Sequence, residues 1–264
     1  MKDDFNQSWL EAINDILTNG WEVSPRGQQT KEILQRTLEV NMRKPVLTLP
    51  ERKLSYQFLA AEAFWILSGD YRVATIAPYN KHISQFSDDG EVFFGAYGPK
   101  IVAQLGYVVQ KLLEDRDTRQ AGMTIWRENP PQTRDVPCTV AIFFNIRGDK
   151  LNCHVFMRSS DVWLGVPYDV FNFSMLAHAV CGFLNPHGAG VSPGTLYLTA
   201  ASSHLYERNF ELAKGCLGAE PPVPMDTPDA LFHSPQALMN CLKDLRESKP
   251  GHPLRWWEKT DESV

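Results

Sequence analysis

Apolar side chains recur every three or four positions at the start of the chain. Trp9, Ile13, Ile16 and Leu17 share one face of a helix predicted over residues 5–19, with Gly20 as a natural stop. VSPRGQQTKE (23–32) breaks the pattern and reads as a polar loop centred on Arg26. A helix over 54–68, LSYQFLAAEAFWILS, is apolar enough to be largely buried, yet Glu62 stands in its middle. A carboxylate there is costly unless paired or used. FFGAYGPKI opens another helix, with Ile101, Leu105, Val108, Leu112 and Leu113 at helical spacing. Strands follow: GMTIW, CTVAIFFNI and LNCHVFMRS, the last two flanking a hairpin-like turn at Arg147-Gly148-Asp149. Residues 168–184 form an apolar run long enough for a buried helix. TLYLTAASSHLY reads as a strand and ERNFELAKGCL as the helix after it. From Pro221 the chain is richer in proline and charge, with a helix predicted over 235–246. No linker, repeat or low-complexity tract divides residues 1–264, so one domain is expected, and its mixture of one sheet with several helices reads as α/β or α+β.

Composition narrows the class. The 264 residues are 43% apolar and 22% charged, an ordinary balance for a globular protein able to bury a sizeable core. The formal charge of −5 argues against a general binder of nucleic-acid polymers. A single nucleotide phosphate needs only a few local arginines. The five cysteines (Cys138, Cys153, Cys181, Cys216, Cys241) are odd in number and lack CxxC spacing, which points away from a disulfide framework or a zinc site and towards a reducing, cytoplasmic setting. The acidic N-terminus is not a signal peptide, and no apolar run is long enough to span a bilayer.

Candidate chemistry gathers in a few segments. Cys138 follows a proline at the start of an apolar strand; alone, such a cysteine is more often structural than nucleophilic. Arg158, Ser159 and Asp161 cluster where another apolar strand ends, and arginine with serine makes a good phosphate cradle. Asp169 opens the long buried helix, where a helix-capping role is the plain alternative. His204 and Tyr206, two apart at a strand end, can face one side. Arg119 lies in a short polar stretch, DTRQ, before a strand. Trp126 and Trp163 read as core.

Taken in order, these pieces resemble the thymidylate synthase family from about residue 20 to residue 210. The matches are Arg26 in VSPRG, Glu62 in EAFWILSGD, Tyr97 in AYG, Arg119 in DTR, Cys138 in PC, the block RSSDVWLGVPYD from 158 to 169, and His204 and Tyr206 in SSHLY. The resemblance implies one large mixed sheet covered by helices, with a sheet face at a homodimer interface. It implies that Cys138 adds to carbon 6 of a pyrimidine nucleotide and that carbon 5 then takes the methylene of 5,10-methylenetetrahydrofolate. No metal is implied. Arg26, Arg158 and Ser159 would hold the 5′-phosphate and favour the thiolate, with Arg119 supplied by the neighbouring subunit. Glu62 would organise water and relay protons, Asp161 would bind the pterin, His204 and Tyr206 would contact the sugar, and Tyr97 would lie near the nucleophile.

Departures from the family pattern refine the expectation. Asp169 replaces an asparagine that reads uracil. A carboxylate only accepts hydrogen bonds, which suits the amino group of cytosine, and this aspartate marks the deoxycytidylate hydroxymethylase branch known from phages. Thr139 stands where most members have histidine, Gln120 replaces a second phosphate arginine, a tryptophan is missing from ISQFSDDG, and the chain ends in WWEKTDESV rather than in an apolar lid. A less complete lid favours entry of water and hence a hydroxymethyl product. The expected activity is 5-hydroxymethylation of dCMP. The alternatives are dCMP methylation, CMP hydroxymethylation, thymidylate synthesis, or a catalytically silent nucleotide binder.

Overall fold

Helix α1 (Phe5–Asn19) buries Phe5, Trp9, Ile13 and Ile16 and stops at Gly20, as its periodicity predicts. This computed structural model describes residues 5–220 and 225–258. The strands are β1 (Trp21–Val23), β2 (Thr30–Asn41), β3 (Gly122–Thr124), β4 (Thr139–Arg147), β5 (Lys150–Met157), β6 (Ser160–Asp161) and β7 (Ser192–Tyr206). The further helices are α2 (Tyr56–Leu67), α3 (Val73–Ile76), α4 (Gly98–Glu114), α5 (Val166–Leu184), α6 (Phe210–Cys216), α7 (Ala230–His233) and α8 (Pro235–Leu245).

The strands form one mixed sheet in the order β1-β2-β7-β5-β4-β3, with β6 paired to β7. β5 and β6 run parallel to β7; the other neighbours are antiparallel. Helices α1 and α5 pack on one face of the sheet, and α2, α7 and α8 pack around α5. Nearly every residue of α5 is buried, which explains its unbroken apolar run. The expected α+β architecture, a mixed sheet covered by helices, is therefore observed. Among the described residues no helix is long and apolar enough to cross a membrane.

Strand β2 corrects the sequence reading. Residues 30–32 belong to it rather than to a loop, and the twelve-residue strand escaped prediction altogether. Gln35 takes a left-handed backbone (φ 54°), while the register with β7 is unchanged across it, from Leu34↔Ser202 to Arg36↔Ala200. The first part of the strand, TKEILQRT, puts its apolar Ile33 and Leu34 side by side and so lacks the period-2 alternation on which strand recognition depends.

Among the described residues no helix lies on the second face of the sheet, which is half polar. Thr37 and Thr199 join through their hydroxyls at 2.9 Å, Asn145 bonds His154 at 2.8 Å, and His154 stacks on Tyr197 at 4.8 Å. Phe143 and Phe156 meet edge to face on the same surface and are 40% and 44% exposed. That is much aromatic surface to leave in water.

Candidate active site

Sheet topology gathers most of the expected residues at one end. Because β5 and β7 are parallel and β2 and β4 run against them, the starts of β2 and β4 lie beside the ends of β5 and β7. Arg26 precedes β2, Cys138 precedes β4, Arg158 and Ser159 follow β5, and His204 and Tyr206 end β7. The short β6 then places Asp161 opposite His204. Positions scattered over 180 residues of sequence thus become one cluster.

Cys138 is held by both its neighbours. Its carbonyl accepts from the Arg158 amide at 2.8 Å. The Arg158 guanidinium reaches back to the carbonyls of Pro137 (3.0 Å) and Val136 (2.9 Å), bracing the segment that presents the thiol. Its remaining N–H groups are available to an anion. Trp126, expected in the core, is half-buried with that guanidinium 6.0 Å above its ring. Arg26 is exposed in a tight turn with φ 53° and ψ 33°, an uncommon conformation for a non-glycine residue and one that recurs at functional positions. The Tyr97 hydroxyl accepts from the Thr139 amide at 3.2 Å, beside the thiol.

Two helices bring the carboxyls. Gly165 links β6 to α5: its amide donates to the Asp161 carbonyl and its carbonyl accepts from the Asp169 amide, both at 2.9 Å. A side chain at 165 would meet Asp161 and the Asp169 carboxyl at 3.2 Å, so glycine permits this close approach. Asp161 Oδ1 accepts from the amides of Trp163 and Leu164 at 2.8 and 2.9 Å, whereas Oδ2 is buried without a partner. Asn172, one turn beyond Asp169, donates to Glu62 Oε2 at 2.7 Å.

Burial controls the electrostatics. Glu62 is pushed up to about 7 by burial, against the Asn172 hydrogen bond, which favours the anion. Asp169 is raised well above the usual carboxylate range by burial, then by Glu62 and Asp161. Asp161 is raised by burial too, partly offset by its amide donors and His204. The Cys138 thiol is raised first by burial; Arg158 and Arg26 pull it down, and Asp169 and Asp135 push it up. The arginines thus act in the expected direction, but the balance in the resting protein favours the thiol.

A buried carboxyl at about 7 has a stability consequence. Glu62 ordinarily titrates near 4.5, so the folded chain holds the proton more tightly than the unfolded chain. That contribution is full below pH 4.5 and is lost as the pH rises through 7. Glu62→Gln is therefore expected to match wild-type stability at pH 4 and to exceed it at pH 8 by about 1–3 kcal/mol, read from denaturant midpoints.

Asp135, Asn172 and Arg208 were missed from the sequence. Asp135 accepts from the Gly95 amide at 2.6 Å, tying the segment before Tyr97 to the one before Cys138. Nothing in RDVPC advertised this. A Cβ on Gly95 would collide with the Asp135 carbonyl oxygen. Gly95→Ala is expected to destabilise the fold by about 1–3 kcal/mol and to depress activity further by displacing the thiol; thermal unfolding and turnover check this. Asn172 did carry a signal, as an amide inside the apolar run VFNFSML. Arg208 lies 4.2 Å over the Tyr206 ring and donates to Gln28 at 2.7 Å, fastening the Arg26 loop to the end of β7.

Several polar atoms at this end of the sheet are buried without a partner: Thr139 Oγ1, Ser160 Oγ, Asp161 Oδ2, Asn172 Oδ1 and His204 Nδ1. Orphaned buried groups are costly, and their concentration in one place is the mark of a site that satisfies them with a ligand or water. A heterocycle rich in N–H donors fits the free oxygen of Asp161, as a folate would. Arg119 is not brought in. It is exposed in the loop before β3 and, among the described residues, has no hydrogen bond or ion pair. Of the tail expected to lack a lid, Trp256 and Trp257 are buried, Trp257 against Tyr56 at 5.3 Å; residues 259–264 lie outside the described residues.

Comparison with known proteins agrees with this geometry. The family model described as thymidylate synthase matches residues 7–227. Among curated proteins, the deoxyuridylate hydroxymethyltransferase of Bacillus phage SP01 is 31% identical over 225 residues, a stretch covering 76% of this chain and 56% of the phage protein. The chain therefore spans little more than half the length of that relative. With the family match running through every strand of the sheet and all the clustered residues, the chain belongs to the thymidylate synthase family.

Proposed function

We propose that this protein is a one-carbon transferase acting on carbon 5 of a pyrimidine nucleotide, with deoxycytidylate as substrate and 5-hydroxymethyl-deoxycytidylate as product. The observation that carries the reading is that Asp169 lies within electrostatic reach of both the Cys138 thiol and Glu62, at the sheet end where Arg26 and Arg158 flank that thiol. Cys138 adds to carbon 6 of the ring, and the electron pair moves to carbon 5. Methylenetetrahydrofolate, when bound, supplies the carbon. Asp161 and Glu62 would hold it, and Glu62, poised at about 7, exchanges protons at neutral pH. Arg26, Arg158 and Ser159 hold the phosphate; His204 and Tyr206 contact the sugar.

Asp169 reads the base. Its oxygens accept no hydrogen bond from the described residues, and its raised affinity for a proton changes the expected logic. A carboxyl that keeps its proton both donates and accepts. Against cytosine it accepts from the 4-amino group and donates to nitrogen 3, and the basic nitrogen can share the proton in a charge-assisted pair. Against uracil it can donate to oxygen 4 and accept from nitrogen 3, with no basic partner to share the proton. Cytosine is thus preferred by degree. The similarity to a protein named for deoxyuridylate supports a second reading, in which dUMP is hydroxymethylated at the same site. The relative's name also supports hydroxymethyl over methyl as the product.

A homodimer through the uncovered sheet face would bury Phe143 and Phe156 and could supply Arg119 to the partner's phosphate site. Five free cysteines suit a reducing compartment such as the cytoplasm. Mass spectrometry of products from dCMP, CMP and dUMP with methylenetetrahydrofolate tests the whole reading. Hydroxymethyl-dCMP as the main product is expected. Preferential turnover of dUMP would select the second reading, and a methyl product would overturn hydration.

A further inference from the structure

Resting on that reading, we propose that Asn172 is a positioning residue that selects the hydroxymethyl product by holding, with Glu62, the water that attacks the transferred carbon. Its side chain is committed at one end and open at the other. Nδ2 donates to Glu62 Oε2 at 2.7 Å, which fixes the carboxyl, whereas Oδ1 is buried with no partner. The residue is only 5% exposed, so bulk water does not satisfy that oxygen. Glu62 Oε1 accepts from none of the described residues. Two acceptors without a partner among the described residues thus sit on side chains joined by one hydrogen bond, with Asp169 one turn back along α5.

A water molecule has two hydrogens to give, and a buried water needs two or more polar partners to be retained. Placed here, it donates one hydrogen to Asn172 Oδ1 and the other to Glu62 Oε1, leaving its lone pairs for the substrate. The step balances without a further reactant. Oxygen of water bonds to the exocyclic methylene carbon, and the electron pair of that double bond passes into the ring and re-forms the bond between carbons 5 and 6. The Cys138 thiolate leaves carbon 6, and the proton from water goes to Glu62. The Asn172 hydrogen bond favours the Glu62 anion and so keeps a base available near neutral pH.

Asn172→Leu keeps the volume and removes both polar ends. The quantity to measure is hydroxymethyl product formed per carbon-5 hydrogen released. In the variant the ratio is expected to fall about tenfold or more while hydrogen release falls much less, the remainder appearing as methyl product or as nucleotide held on the enzyme. The limb of the pH profile belonging to Glu62 is expected to move up, because its donor is gone. Asn172→Ser, whose hydroxyl can both donate and accept, should restore much of the ratio, and Asn172→Ala reads the same ratio if the leucine variant does not fold. An unchanged ratio and an unmoved limb, with all outputs falling together, would reduce Asn172 to a packing role. Wild-type protein that releases no carbon-5 hydrogen, or that makes only methyl product, would overturn the proposed function and this inference with it.

Discussion

Cys138→Ser is expected to cut the release of hydrogen from carbon 5 by a factor on the order of 10³ or more, with nucleotide binding nearly unchanged. A serine hydroxyl is a far weaker nucleophile than a thiolate, and among the described residues no histidine or lysine acts on the Cys138 thiol. Arg158 would still brace the strand start through the carbonyls of Val136 and Pro137, so the architecture should survive the change. The resting thiol is held above its ordinary value, chiefly by burial and then by Asp169 and Asp135 against the two arginines. The wild-type rate should therefore rise with pH through neutrality as the thiolate fraction grows. Tritium release from labelled nucleotide measures the chemistry, and calorimetric titration measures binding. Activity within about tenfold of wild type would exclude Cys138 as the attacking group.

Asp169→Asn is expected to shift the base preference towards dUMP, moving the ratio of turnover on dCMP to that on dUMP by a factor on the order of 10. The amide donates to oxygen 4 of uracil and accepts from nitrogen 3, but it cannot share a proton with nitrogen 3 of cytosine. Either residue can pair with either base, so the discrimination rests on the charge-assisted sharing of a proton with nitrogen 3 of cytosine, worth about 1–1.5 kcal/mol more than a neutral hydrogen bond. The variant also removes one of three neighbouring carboxyls. Glu62 owes its rise to burial and not to Asp169, so it should still titrate at about 7 in Asp169→Asn. Competition kinetics on mixed nucleotides give the ratio, and an unmoved Glu62 limb in the pH profile shows that the change acts on base reading alone. An unaltered ratio would mean that another residue reads the base.

Much of the fold was legible because its signals are local. Helix α1 and the apolar core helix α5 are written in spacing and in run length, and the β4–β5 hairpin in its Arg147-Gly148-Asp149 turn. Strand β2 was not, because its first part, TKEILQRT, shows no period-2 alternation and long-range pairing with β7 holds the strand in place. At the site, residues with a chemical type to notice were found: a cysteine, arginines, and carboxyls in apolar surroundings. Asp135 was missed because its importance is a contact with the Gly95 amide forty residues away.

The order and identity of the motifs determined the family and nominated the candidate residues of the site, Cys138, Glu62, Asp169 and the arginines. Only the tertiary structure decided how charge is distributed among them. Strand directions bring the starts of β2 and β4 beside the ends of β5 and β7, and burial there raises three carboxyls and a thiol together. An isolated aspartate in a sequence is an anion, and that was the expectation for Asp169. Desolvated beside Glu62 and Asp161 it binds a proton far more tightly than a free carboxyl, because the low-polarity interior penalises each charge and each neighbour penalises the next. The same packing turned Asn172 from an oddity in an apolar helix into the partner of Glu62.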